Sequence, residues 1–162
     1  MADDELPLIY LDACIYLSYL EDDPQRGPVI EELFSRQRAG EIRIVTSAIT
    51  QVEVAFDAEE RESGNLDEET LERIDELWLP GSPTEIIEFE DLVAAQARDL
   101  IRMAVARGWG LKPPDAIHLA TGAQYGCAEI FTYDDKWFRY SPHLGVSISE
   151  PHNPQERLGP AS

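Results

Sequence analysis

The sequence predicts an α/β fold: a three-layer α/β/α sandwich around a mainly parallel sheet of four to five strands. Three observations carry that prediction. Short apolar runs alternate with longer segments whose apolar residues recur at helical spacing. The segments between successive runs are long enough for the crossovers that parallel strands require. The first run, Leu6-Pro7-Leu8-Ile9-Tyr10-Leu11, is almost continuously apolar, as expected of a strand covered on both faces.

Each element has its own signal. After residues 6–11 a short helix is expected from Ala13 to Leu20, broken by Glu21-Asp22-Asp23-Pro24. Pro28 to Ala39 carries Val29, Ile30, Leu33 and Phe34 at helical spacing, and Gly40 closes it. Ile42, Ile44 and Val45 give a second strand. Ser47 is placed to cap a third helix, whose expected apolar side is Ala48, Val52, Ala55 and Phe56. Glu59 to Asn65 reads as a polar loop and Leu66 to Leu77 as an acidic helix with Leu71, Ile74 and Leu77 on one side. Pro80-Gly81-Ser82-Pro83 is a turn, and Thr84 to Phe89 a strand. Asp91 to Arg107 is a long amphipathic helix ended by Gly108. Pro113-Pro114 opens another, running to about Tyr125 before Gly126. Ala128–Thr132 and Gly145–Ser149 complete the strands. Residues 1–149 are therefore read as one domain, and 150–162, rich in Pro, Asn, Gln and Gly, as a poorly ordered tail.

Composition constrains function mainly through charge. Lys plus Arg total 13 against 32 Asp plus Glu, a formal charge of −19, so no basic footprint for nucleic acid is visible in bulk. Only Lys112 and Lys136 are lysines. A binding or catalytic reading must come from a local site. Cys14 and Cys127 lack zinc-ligand spacing and sit in apolar stretches, so buried free thiols are expected. The acidic N-terminus carries no signal-peptide pattern, and no apolar run approaches the ~18 residues of a membrane span. A cytoplasmic location is the expectation.

In open parallel sheets, ligands gather outside the carboxyl ends of the strands. Asp12 directly follows the first strand, and Asp134 and Asp135 follow Ala128–Thr132. Asp115 lies in the first turn of the Pro113 helix, and Glu53 sits inside the apolar run Val52-Glu53-Val54-Ala55-Phe56, where a charge needs a partner or a function. Singly, each acid has a plainer explanation: a helix cap for Asp12, a dipole partner for Asp115, a salt bridge for Glu53, turn chemistry for Asp134 and Asp135. Together they describe one rim. Two carboxylates ~4 Å apart repel by roughly 4 kcal/mol at an effective dielectric near 20, so a cluster demands protons or cations. All-oxygen ligands select hard ions such as magnesium, manganese or calcium. Such an ion activates water at a phosphoryl centre without a Ser or Cys nucleophile. Neither a Gly-x-Ser-x-Gly elbow nor a Walker-type loop is present.

These residues resemble the motifs of the PIN-domain family. Leu8-Ile9-Tyr10-Leu11-Asp12-Ala13-Cys14-Ile15 resembles its opening strand and first acid, with Cys14 where Asn or Ser is commoner. Thr46 to Val54 resembles the second motif with Glu53. Asp115-Ala116-Ile117-His118-Leu119-Ala120-Thr121 resembles the third, and Phe131-Thr132-Tyr133-Asp134-Asp135-Lys136-Trp137 the fourth. The resemblance spans about residues 6–148. It implies a PIN-like sandwich and a magnesium- or manganese-dependent endoribonuclease similar to VapC-type toxins, generally dimeric and neutralised by a small antitoxin. It carries over Asp12, Glu53, Asp115 and Asp134 as catalytic metal ligands, with Thr132 as the hydroxyl beside the fourth acid and Asp135 as a possible sharer of Asp134's role. The expected phosphate contacts are drawn from Arg26, Arg36, Arg38, Arg43, Arg98, Arg102 and Lys112. His118 is expected to pack within its helix, and Cys14 to support the site more weakly than an amide would. Two other readings stay open: a non-catalytic PIN-like binding module with a vestigial acidic site, and an aspartyl-phosphate domain, which the missing second acid after Asp12 disfavours.

Overall fold

The computed structural model describes residues 6–57 and 67–153. Five strands, β1 (Leu8–Leu11), β2 (Arg43–Ser47), β3 (Thr84–Ile87), β4 (Glu129–Phe131) and β5 (Ser147–Ser149), form one sheet in the order β3-β2-β1-β4-β5. Every pairing is parallel, so the sheet is wholly rather than mainly parallel. β1 is central. Its Tyr10 aligns with Val45 of β2 and Ile130 of β4, and Leu11 aligns with Phe131. The carboxyl ends of β1 and β4 are thereby level, and Asp12 and Thr132 emerge side by side.

Period-2 alternation sorts the β1 side chains onto two cores. Ile9 and Leu11 face a layer built from α1 (Ala13–Leu20), α2 (Gly27–Arg38), α3 (Ile49–Asp57) and α4 (Glu68–Glu76), with Ile15, Tyr16, Phe34, Val54 and Ile74 buried there. Tyr10 faces the opposite layer, α5 (Asp91–Ala106) and α6 (Pro113–Gln124), with Val93, Leu100, Leu119 and Trp137. The sandwich is thus the three-layer one expected. Helix starts follow their local chemistry. Pro28, Pro113 and Pro114 occupy first-turn positions, where a missing N–H is harmless. Asp67 caps α4 by accepting from the Thr70 amide at 3.3 Å.

Three details differ from the sequence reading. α3 turns Thr50 and Val54 inward, while Val52 and Phe56 are 71% and 59% exposed. The helix is rolled by a buried hydroxyl pair, Thr46 to Thr50 at 2.7 Å, and by a side-chain bond from Glu53 to His118. Strands β3, β4 and β5 are shorter than their apolar runs, and Phe89 lies beyond β3, exposed. Residues 135–140 form a 3-10 segment followed by a short helix, α7 (Ser141–Leu144), where no element was anticipated. The loop expected at 59–65 and the tail beyond 153 lie outside the described residues. Within 150–153, His152 packs its ring against Phe131 at a centroid distance of 5.0 Å. Cys14 and Cys127 are free thiols, and burial pushes Cys127 up to about 12. Among the described residues no helix is long and apolar enough to cross a membrane.

Candidate active site

The four acids come from four separate segments. Asp12 directly follows β1, Glu53 lies on α3, Asp115 is the third residue of α6, and Asp134 caps the 3-10 segment after β4. Asp12 is 7% exposed, and both of its carboxylate oxygens accept hydrogen bonds. Oδ1 accepts from the Ala13 amide at 2.7 Å. Oδ2 accepts from Thr132 Oγ1 at 3.0 Å and from Cys14 Sγ at 3.1 Å. Asp12 therefore caps α1 and belongs to the cluster as well, so the plain and functional readings of this residue coexist.

Thr132 links two acids. While its hydroxyl donates to Asp12, its oxygen accepts from the Asp134 amide at 3.1 Å. Asp134 Oδ1 in turn accepts from the Lys136 amide at 3.0 Å. Cys14 makes more contacts than its replacement of an amide or hydroxyl suggested. Besides donating to Asp12, its sulfur accepts from the Tyr133 amide at 3.4 Å. Burial and the Asp12 charge hold the thiol far above its usual range, so it remains a protonated donor.

His118 is the site residue that sequence reasoning undervalued. It is wholly buried, as expected of a packed residue, yet Nε2 bonds Glu53 Oε1 and stands 3.5 Å from Asp12 Oδ1. Its Nδ1 meets Tyr10 Oη at 2.5 Å. Tyr10 already accepts from the Ser47 amide at 3.1 Å, so its own proton is free for Nδ1, leaving the Nε2 proton toward the acids. Burial disfavours a charged ring, but the Glu53 hydrogen bond and the charges of Asp12, Glu53 and Asp115 outweigh it and raise the His118 pKa. The available signal was position: His118 is three residues beyond Asp115, on the same helix face.

Asp115 reports the shared field. Burial first, then Asp12, Asp134 and Glu53, push its carboxyl up to about 6, with His118 pulling the other way. Those are the charges that weigh most on it; Asp135, exposed at the first position of the 3-10 segment, is not among them. Thr132 links Asp12 to the Asp134 backbone, His118 links Glu53 to Asp12, and the charges of Asp12, Asp134 and Glu53 all bear on Asp115. Among the described residues no three His, Cys, Asp or Glu side chains already converge as direct ligands of one ion. The donor set still suits a hard cation, because magnesium retains several waters and needs only one or two carboxylates.

The expected phosphate contacts divide sharply. Arg36, Arg38, Arg43 and Arg98 pair with Glu41, Glu31, Glu85 and Asp99 at 2.8, 3.4, 2.8 and 3.5 Å. Arg26 lies 3.8 Å over the Tyr133 ring. Arg98 and Arg102 border an apolar groove with Phe89, Ala97, Ile101, Pro113 and Ile117.

The comparisons agree with the geometry. The PIN domain family model matches residues 9–141. No curated protein sequence matches. Among solved structures, DNA-bound VapBC from Salmonella typhimurium is similar with a TM-score of 0.70 at 19% identity, covering 91% of this chain and 99% of that one. VapBC2 from Rickettsia felis, bound to a promoter DNA fragment, gives 0.64 at 15% identity, covering 88% and 98%. FitAcB from Neisseria gonorrhoeae gives 0.62 at 19%, covering 88% and 97%. At these identities the structures speak for the fold, while the family match spans most of the chain: the protein belongs to the PIN domain family.

Proposed function

We propose that this chain is a metal-dependent endoribonuclease, the toxin of a toxin–antitoxin pair, working in the cytoplasm on RNA phosphodiester bonds. The observation that carries the reading is the bonded set around Asp12, where Thr132 leads to Asp134 and His118 to Glu53, while burial and then the charges of Asp12, Asp134 and Glu53 raise the Asp115 carboxyl. Such mutual repulsion is costly unless a cation relieves it. Magnesium or manganese, when bound, supplies Lewis acidity and a lowered water pKa at the phosphoryl centre. Asp12, Glu53, Asp115 and Asp134 would hold the ion. Thr132, Cys14 and the Ala13 amide fix the Asp12 carboxylate, and His118 fixes Glu53. The reading places Tyr10 behind His118, holding the ring in one orientation.

The VapBC structures of similar fold support an antitoxin partner for this chain. Exposed Val52, Phe56, Leu92 and Val105 offer apolar surface for that partner or for a second copy in a homodimer. Purified protein with manganese should cut single-stranded RNA, and chelator should stop it. Asp12→Asn and Asp115→Asn should abolish cleavage while remaining folded. Wild-type protein that cuts no RNA and shows no carboxylate-dependent heat with manganese by calorimetry would sink this proposal and leave a PIN-fold binding module.

A further inference from the structure

The only two lysines in the sequence, Lys112 and Lys136, line one pocket of about 340 Å³ against the acid edge, together with Asp115, Asp134, Trp137 and Tyr140. They arrive from different elements. Lys112 is the residue before α6, and Lys136 lies in the first turn of the 3-10 segment. Both are exposed, and among the described residues neither has an ion-pair partner. Among the arginines, Arg36, Arg38, Arg43, Arg73 and Arg98 each pair with a carboxylate, and Arg26, Arg107 and Arg139 lie over aromatic rings. This pocket brings two ammonium groups without a carboxylate partner to the edge of the acids.

The start of α6 cannot hold an anion through its amides alone, because Pro113 and Pro114 have removed two of the N–H groups that a helix N-terminus normally presents. The helix dipole still favours negative charge there. Behind the lysines, Trp137 Nε1 and Tyr140 Oη are buried in the pocket wall without a hydrogen-bond partner. A ligand suited to this pocket carries negative charge and spare acceptor oxygens, and adjoins whatever the acid cluster works on.

We propose that Lys112 and Lys136 form a backbone-phosphate subsite, which seats the RNA phosphate neighbouring the one presented to the acid cluster. This rests on the nuclease reading and adds the side of the cluster on which the strand lies. The two ammonium groups act as point charges on a single-stranded polyanion and register its backbone without reading its bases. They are positioning residues, so their removal weakens substrate capture more than turnover.

The test is steady-state cleavage of a labelled single-stranded RNA pool in manganese, across a tenfold range of salt. K112A/K136A should raise KM roughly tenfold and change kcat little. Two lost phosphate contacts on a single strand should also flatten the slope of log KM against log salt by about 1.4. The charge-retaining K112R/K136R should restore most of both. The charge-matched R38A/R73A, in a separate pocket lined by Tyr19 and Phe34 and paired there with Glu31 and Asp22, should leave KM and slope near wild type. Manganese calorimetry should be the same for wild type and K112A/K136A, showing the acid cluster intact. If wild type cleaves and K112A/K136A keeps its KM and slope, or R38A/R73A loses as much, the subsite is wrong and the nuclease reading survives. If wild type cleaves nothing, both fall.

Discussion

Replacing Asp115 by Asn should stabilise the metal-free protein at neutral pH while destroying its proposed activity. The folded carboxyl is raised from 3.8 to about 6, by burial and then by Asp12, Asp134 and Glu53. Below pH 3.8 the acid is protonated in both folded and unfolded chains. As pH rises, the unfolded chain ionises first and the folded chain follows only near 6, so stability is lost through that window and the loss levels off above about pH 7. At about 1.4 kcal/mol per pH unit, a fully buried group would lose about 3 kcal/mol. Asp115 is only half-buried, and solvent screening brings the expected figure to about 1.5 kcal/mol. Asn cannot ionise and escapes the loss. Urea unfolding in chelator should therefore show Asp115→Asn ahead by about 1.5 kcal/mol at pH 7.5, with the gap nearly closed at pH 4. Saturating manganese should reverse the order, since an ion that binds only the folded wild type adds stability by mass action. An Asn variant no more stable than wild type at pH 7.5, or a gap that ignores pH, would refute the argument that the four acids share one field.

Other perturbations test the supports of the cluster. His118→Ala frees Glu53 and should weaken manganese affinity about 10- to 100-fold by calorimetry, the usual cost of losing a group that orients a ligand; unchanged affinity would mean Glu53 is held by other means. Thr132→Val deletes the donor to Asp12 and the acceptor for the Asp134 amide, and should cost about 1–3 kcal/mol in denaturant unfolding, whereas Thr132→Ser should stay close to wild type. Gly122→Val tests the approach of α6 to β4. A Cβ there would stand 2.6 Å from Ile130 Cδ1, so overpacking of about 1–3 kcal/mol should lower the thermal midpoint.

Much of this arrangement was legible in the sequence, for a physical reason. A parallel sheet puts every strand's carboxyl end on one side, so an acid directly after an apolar run has a predictable destination. That logic located Asp12 and Asp134, and their levelness follows from the pairing of Leu11 with Phe131. The rotation of α3 was not legible. Val52-Glu53-Val54-Ala55-Phe56 is apolar on both sides of Glu53, and the side that turns inward is decided by the Thr46–Thr50 hydroxyl pair and by His118, a contact 65 residues away. The segment 135–144 escaped because a 3-10 run is short and its repeat leaves little apolar periodicity. His118 was hidden by its own burial: one residue fills the core and binds two acids, and a sequence displays only the first role.

The net charge of −19 looks wrong for the proposed ribonuclease, but net charge is the wrong quantity. At physiological ionic strength, charges more than about 8 Å from a phosphate are largely screened, so the strand responds to the few groups it touches. Over the described surface, five arginines are matched to carboxylates. Beside those pairs, two further regions adjoin: the acid cluster, and a pocket edged by two unpaired lysines. A divalent cation seated on the first would offset two of its negative charges and give a phosphate a positive partner beside the lysines, whereas without it the acids repel the strand that the lysines attract. Metal should therefore control RNA capture as well as turnover, a coupling that a net-charge argument cannot anticipate.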